Sequence, residues 1–338
     1  MKKIAFITGI TGQDGAYLAE MLLEKDYKVV GGFRRLSTPN FCRLEELGIS
    51  RKLHLVETDL LDASNLTRII REVRPTEVYN LGAQSFVAHS FKNPILTGNV
   101  TGMGVTNLLE AVRIVDPGIR FYQASTSELF GQAREFPQNE NTPFYPRSPY
   151  AVAKLYGHWM TINYRESYNI FGTTGILFNH ESPLRGVEFV TRKITDAIAK
   201  IYHGKQNYFD IGNMDVKRDW GFAKDFVEGM WMMMQADKPD NFVLATNESH
   251  SVREWIEVCF QFIGKEIEWE GQGERETGRD SKTGKVLVKV NPEFYRPAEV
   301  EFLIGDYSKA KRELGWEPKV RFNELAELML KSDLEKNK

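Results

Sequence analysis

Lys3-Ile-Ala-Phe-Ile-Thr8 runs straight into Gly9-Ile-Thr-Gly12-Gln-Asp-Gly15, and the reading of this junction decides the fold. The apolar run predicts a buried strand over 3–8. Ala16-Tyr-Leu-Ala-Glu-Met-Leu-Leu-Glu24 then carries helical apolar spacing. Glycines spaced G-x-x-G-x-x-G let the chain leave a strand, turn tightly and enter a helix whose first N–H groups face a pyrophosphate. Glycines can also serve such a turn for steric reasons alone, but with a strand before and a helix after, the segment reads as a nucleotide cradle.

The chain has 338 residues, 42% of them hydrophobic, enough to bury a large core in one α/β unit or two closely packed lobes. Lys and Arg number 44 against 46 Asp and Glu, so no global field points to a nucleic acid or a membrane. Cys42 and Cys259 have no metal-ligand spacing and suggest a reducing compartment. A strand beginning at residue 3 and the lack of a membrane-length apolar run lead us to expect a cytoplasmic protein without metal.

Strands are predicted at 3–8, 27–33, 53–57, 77–81, 120–125 and 172–178, with helices near 14–25, 64–73, 101–114 and 148–168. This alternation builds a parallel sheet. Beyond Asn179 helices are expected near 190–203, 222–236, 251–263 and 321–335. The charged, glycine-rich stretch 269–284 reads as a mobile surface loop, and the cluster Met230–Met234 as core filling. The fold expected is α/β: a Rossmann-type doubly wound parallel sheet with a smaller C-terminal α/β substrate-binding lobe. Residues 1–178 would bind the cofactor, and 179–338 mainly the substrate, with some segments returning to the main sheet.

An NAD-binding chain usually offers an acidic residue after its second strand. Here the chain reads Gly31-Gly32-Phe33-Arg34-Arg35-Leu36-Ser37. Two guanidinium groups and a hydroxyl suit a 2′-phosphate, which favours NADP; the alternative is a solvated basic turn. Asp59 and Leu60 close the third strand, where the adenine edge would lie, and Leu81-Gly82-Ala83-Gln84 would pass beside the cofactor.

Tyr150 and Lys154 stand one helical turn apart on one face, after Ser125-Thr126-Ser127 at a strand end. The ammonium and a cationic nicotinamide would lower the phenol pKa, so that Tyr150 can take a hydroxyl proton. Thr126 would hold the same oxygen. Glu128 has no task in simple carbonyl reduction and would be a second acid/base for a neighbouring carbon; the alternative is a helix-start cap.

With these residues the chain resembles the extended short-chain dehydrogenase/reductases that dehydrate nucleotide sugars, whose glycine turn has the spacing found here. Within them it is similar to the GDP-mannose 4,6-dehydratase family along nearly its whole length. The most specific stretches are 121–131, 142–150, 175–183, Phe189-Val-Thr-Arg-Lys193 and Lys217-Arg-Asp-Trp220. The resemblance implies Thr126, Glu128, Tyr150 and Lys154 as catalytic residues. It implies an NADP site of Gly9, Thr11, Gly12, Gln13, Asp14, Gly15, Arg34, Arg35, Ser37, Asp59, Leu60, Leu81, Gly82, Ala83, Gln84, Ser85, Tyr150, Lys154, His180 and Arg185. For His180 a hydrogen-bonded place behind the pocket is the alternative. The nucleotide sugar would meet Ser85, Thr126, Glu128, Asn179, Val190, Lys193, Arg218, Arg296 and Glu299. Arg218 and Arg296 can neutralise a diphosphate, and Lys193 or Glu299 can read guanosine. The chain departs from the family pattern at Phe86, Leu96 and Leu184.

The resemblance implies dehydration of GDP-mannose to GDP-4-keto-6-deoxy-mannose, a precursor of GDP-fucose and other deoxyhexoses, by an internal redox cycle. It also implies a homodimer or homotetramer built on paired helices, with the Arg34–Arg43 segment reaching a neighbouring cofactor site. The same dehydration of a GDP-mannoheptose is an alternative. A 4-epimerase or ketoreductase would leave Glu128 unexplained, and a non-catalytic NADP sensor would not need the intact Thr126, Tyr150 and Lys154.

Overall fold

The computed structural model describes residues 2–38, 40–294, 300 and 302–338. Its centre is a seven-stranded sheet of β1 (Ile4–Thr8), β2 (Lys28–Phe33), β3 (His54–Glu57), β4 (Glu77–Asn80), β5 (Arg120–Thr126), β6 (Gly172–Leu177) and β7 (Asn241–Leu244). Every pairing is parallel, and the spatial order is β7-β6-β5-β4-β1-β2-β3. Such a sheet needs both faces covered, which explains why β4, β5 and β6 are buried along nearly their whole length without alternation. The order reverses between β1 and β4, and ligands of open α/β sheets bind at the carboxyl ends of the strands at such a point.

At that point a polar chain ties the strand ends together. Thr8 Oγ1 donates to Asn80 Oδ1 at 2.7 Å and accepts from the Gly82 N–H at 3.0 Å. Asn80 Nδ2 donates to Gln123 Oε1 at 2.8 Å. All three side chains are buried, so satisfying them fixes the relative height of β1, β4 and β5.

The helices that cover the sheet follow their sequence signals. Ser148 caps the helix Pro149–Tyr168, its Oγ accepting from the Ala151 N–H at 3.1 Å, and Pro149 stands at the first helical position. The helix expected from residue 101 begins earlier in the chain, as Pro94–Thr97, a π-helical segment Gly98–Met103 and the α-helix Gly104–Val115. Met230, Met233 and Met234 are fully buried in the core beneath the sheet, as their pattern suggested.

A second apolar core lies among the helices Val190–Tyr202, Val252–Phe262 and Phe322–Lys336, where Trp220, Trp255 and Phe322 pack together. A four-stranded sheet flanks it: Ile267–Glu270, Thr277–Asp280 and Val286–Val290 are antiparallel neighbours, and the last pairs with Phe209–Ile211. The mobile loop expected at 269–284 is therefore a correction. Ile267 and Trp269 pack on the second core while Glu268 and Glu270 face outward, a period-two alternation masked by the surrounding charge and glycine. Gly278 passes under the Trp269 ring where a Cβ would lie 2.8 Å from it.

Candidate active site

The glycine turn is built by close approach. Gly9 has φ +70°, and a Cβ there would meet the Gly82 nitrogen at 2.9 Å. A Cβ on Gly15 would sit 2.4 Å from the Gly9 carbonyl oxygen. Only hydrogen fits at either place. Gly12 precedes the helix Gln13–Glu24 without a side-chain cap, leaving its first N–H groups for an anion. The cradle therefore fits a dinucleotide pyrophosphate.

Arg34, Arg35 and Ser37 are exposed just beyond β2. Arg35 rests on Glu57 at 2.9 Å, an exposed pair of the weak kind that an incoming phosphate can displace. Asp59 Oδ1 accepts from the Leu61 N–H at 2.9 Å, and Leu60 packs where a Cβ on Gly82 would lie 3.0 Å away. Gln84 is held by Thr101, with Ala83 half-buried and Ser85 exposed beside it.

Thr126 ends β5 and Glu128 follows in a single helical turn, both nearly buried; the Glu128 N–H donates to Thr126 Oγ1 at 3.3 Å. Burial pushes the Tyr150 phenol well up, opposed by Thr126 and reinforced by the Glu128 charge. This corrects the expectation that Lys154 lowers it: Lys154 Nζ donates to the Ala124 carbonyl at 2.8 Å and lies 5.9 Å from the Tyr150 ring centroid. Burial also brings the Lys154 ammonium down to about 8, against the pull of Asp14.

Beside the glycine turn His180 Nδ1 meets the Phe178 carbonyl at 2.7 Å and Nε2 meets Asp14 Oδ2 at 2.9 Å. Both partners are acceptors, so both ring nitrogens carry hydrogen and the group is an imidazolium. Burial opposes that charge, but Asp14 and the carbonyl outweigh it and raise the His180 pKa. Asp14, whose burial acts in the opposite sense, is held at about 2 by His180 and Gln13. Phe226 stacks on the imidazole at 4.7 Å.

On the other side of the cleft, Asn179 Oδ1 is buried without a hydrogen-bond partner, an acceptor aimed at nothing else in the protein. Val190 and Lys193 start the helix Val190–Tyr202, with Lys193 Nζ 3.6 Å above the Phe294 ring. Arg218 is nearly buried in a short strand paired with His250 and Ser251. Next to it Asp219 accepts from the N–H groups of Thr246, Asn247 and Gly305, and burial lifts its carboxyl to about 6. Arg296 and Glu299 lie outside the described residues. Of the departures, Phe86 meets Phe189 edge-on at 5.8 Å, Leu184 is buried in the core, and Leu96 is exposed.

The profile of the family described as GDP-mannose 4,6 dehydratase matches residues 6–329. The chain belongs to this family. It is 55% identical to the GDP-mannose 4,6 dehydratase of Drosophila melanogaster, over 98% of this chain and 86% of the relative. It is 54% identical to that of Homo sapiens, over 99% and 92%. In fold it is similar to a UDP-glucose 4-epimerase of Thermotoga maritima, with a TM-score of 0.81 at 23% identity over 98% of each chain. The likeness to these relatives thus covers nearly all of this chain and most of theirs, and the fold is shared with a 4-epimerase.

Several residues of the site carry no motif signal. His158, on the helix Pro149–Tyr168, meets Ser125 Oγ at 3.0 Å, and burial lowers its pKa to about 4, so it is neutral. Ser182, to which the sequence assigned no role, donates its Oγ to Gln13 Oε1 at 2.7 Å, tying the glycine turn to the segment after β6. The Ser-Pro-Tyr run at 148–150 could have revealed the Ser148 cap; nothing local announces the other two contacts.

The Asp14–His180 pair predicts a pH signature. A lowered carboxyl pKa stabilises the fold above 3.8 and the gain is lost as pH falls towards about 2. A raised imidazole pKa stabilises it fully below 6.5, and the gain is lost as pH rises through the folded value. Thermal melting of His180→Gln should therefore fall furthest below that of the unmodified protein between about pH 4 and 6.5. A difference that stays constant from pH 3 to 9 would show that the pair is not charged.

Proposed function

We propose that this chain dehydrates GDP-mannose to GDP-4-keto-6-deoxy-mannose, as a hydro-lyase that holds NADP through a closed redox cycle. The observation that carries the reading is Glu128, a nearly buried carboxylate whose charge reaches Tyr150 across Thr126. A ketoreductase or epimerase has no task for a carboxylate there.

The glycine turn from Gly9 to Gly15, with Thr11, Gln13 and Asp14, would hold the pyrophosphate, and Arg34, Arg35 and Ser37 the 2′-phosphate. Asp59, Leu60 and Leu81 to Ser85 would line the adenosine and the cofactor backbone, and His180 and Arg185 the nicotinamide side. Arg218 and Arg296 would neutralise the diphosphate, while Val190, Lys193 and Glu299 hold guanosine and Asn179 and Ser85 the sugar. Residues 1–178 would thus serve the cofactor and 179–338 mainly the substrate.

Bound NADP would supply the acceptor and later the donor of one hydride, and its nicotinamide charge would oppose the burial that raises Tyr150. Tyr150 takes the C4 hydroxyl proton while Thr126 orients that oxygen and C4 loses its hydride. The ketone at C4 acidifies the C5 proton, which Glu128 removes. Glu128 then protonates the departing C6 hydroxyl, so that water leaves and a C5–C6 double bond remains. Hydride would return to C6, and a proton to C5 would balance the one that Tyr150 took from the C4 hydroxyl, leaving Tyr150 and Glu128 as they began. The nucleotide serves as a remote anchor that keeps the sugar in reacting position.

Outside the site, the helix Pro149–Tyr168 turns Val152, Tyr156 and Trp159 to solvent, on the face opposite Tyr150 and Lys154. Val152 and Tyr156, with Met103 and Tyr145, line a groove of about 710 Å³, which is therefore not the reaction site. We assign this apolar face to pairing of two chains. Two free cysteines, one of them exposed, suit a reducing cytoplasm. Among the described residues no helix is long and apolar enough to cross a membrane.

Mass analysis after incubation with GDP-mannose should show loss of one water. Tyr150→Phe should leave bound cofactor oxidised, whereas Glu128→Gln should accumulate NADPH absorbance while elimination slows by roughly 10²- to 10⁴-fold. Unchanged elimination by Glu128→Gln would reduce that carboxylate to a structural cap. Replacing Arg34 and Arg35 by alanine should weaken NADP far more than NAD, at about 1.5–3 kcal/mol for each charge-assisted hydrogen bond removed; equal affinity of the unmodified protein for both would sink the NADP reading. Light scattering should give a dimer or tetramer that Trp159→Glu dissociates, and an active monomer at micromolar concentration would refute the paired-helix interface.

A further inference from the structure

Arg185 projects from the loop Ser182–Gly186, and that loop is gripped through its backbone. Three consecutive carbonyls each accept from an arginine that reaches in from elsewhere. Arg192 Nη1 donates to the Pro183 oxygen at 2.5 Å and to the Arg185 oxygen at 3.0 Å. Arg43 Nε donates to the Leu184 oxygen at 2.6 Å, and its Nη1 continues to the Thr11 carbonyl of the glycine turn at 3.2 Å. The loop is thereby held in register with the phosphate cradle.

Arg192 is itself fixed from the far side. Its Nε donates to Asp333 Oδ2 at 2.8 Å and its Nη2 lies 2.7 Å from Asp333 Oδ1, a hydrogen-bonded ion pair with the C-terminal helix. Asp333 is fully buried and also accepts from Thr195 Oγ1 at 2.6 Å. Lys336, one turn further on, reaches the Pro183 oxygen at 3.2 Å and pairs with Glu46 at 2.7 Å. A guanidinium has five N–H donors in a rigid plane, so when Asp333 holds one edge the remaining edge can point only at the loop carbonyls. With its backbone fixed, the Arg185 side chain lies between Glu181, 3.0 Å from its Nε, and the Phe189 ring, 3.7 Å away.

We infer that Asp333 and Arg192 are positioning residues: through the carbonyls of Pro183 and Arg185 the C-terminal helix sets where Arg185 meets the nicotinamide half of the cofactor. The inference rests on the proposed NADP site and adds to it two residues that touch neither cofactor nor substrate.

The test is NADPH affinity, read by cofactor fluorescence on variants shown by circular dichroism to be folded. Asp333→Asn keeps the size but removes the charge that the guanidinium pairs with, which loosens its hold on Arg192. It should weaken NADPH on the order of tenfold. That loss should vanish in an Arg185→Ala background, because both changes act through one side chain, and persist in full in an Arg34→Ala background at the other end of the cofactor. Unchanged NADPH affinity in folded Asp333→Asn, or an undiminished loss on top of Arg185→Ala, would overturn the inference. Should Asp333→Asn fail to fold, Arg192→Lys makes the same comparison, since one ammonium cannot span the carboxylate and two carbonyls. An unmodified protein that binds no NADPH would instead refute the cofactor site itself, a result that needs no variant.

Discussion

The close approach of Gly15 to the Gly9 carbonyl, and of Gly9 to Gly82, is the contact on which the arrangement of the site depends. With a Cβ in either place the helix Gln13–Glu24 would be pushed off the ends of β1 and β4. The start of that helix, the small residues after β4 and the Thr8–Asn80–Gln123 chain would then lose their common height. Lys154 shares in this, because the Ala124 carbonyl that it bonds also accepts from Gln123 Nε2 at 3.0 Å.

Burial then sets the chemistry of the side chains assembled there. It raises the Tyr150 phenol and lowers the Lys154 ammonium, so each charged form is made more costly than it would be in water. Asp14 and His180 follow the opposite logic, since each supplies the other's counter-charge and both stay ionised. Two uncharged-leaning groups, Tyr150 and Lys154, thus lie in the same region as a charged pair at the glycine turn, and burial acts on both sets with opposite outcomes because only the pair carries its own counter-charge.

The departures from the family pattern show how the protein absorbs them. Leu184 turns into the core while its carbonyl is taken by Arg43, so the loop keeps its backbone contacts with an apolar side chain. Phe86 leans on Phe189, whose other contact is the Arg185 guanidinium, and so an aromatic stack joins the loop after β4 to the opposite wall of the cleft.

Much of this was written in local sequence. Gly9–Gly15, the Ser148-Pro149 start of the long helix, the one-turn spacing of Tyr150 and Lys154 and the basic end of β2 are each legible within a few residues, because turn sterics, capping and helical period are local. The strands over 267–280 were not, since their alternation gains meaning only when a second core exists for Ile267 and Trp269 to cover. Nor could the sequence give the direction of the Tyr150 shift, for desolvation depends on what surrounds a group rather than on what precedes it. His180 to Asp14, Arg43 to Leu184 and Arg192 to Asp333 join residues separated by 166, 141 and 141 positions. The sequence by itself determined the fold class and the family; only the packing of distant segments decided which charges face each other, because a buried ion pair exists only where such segments exclude water together.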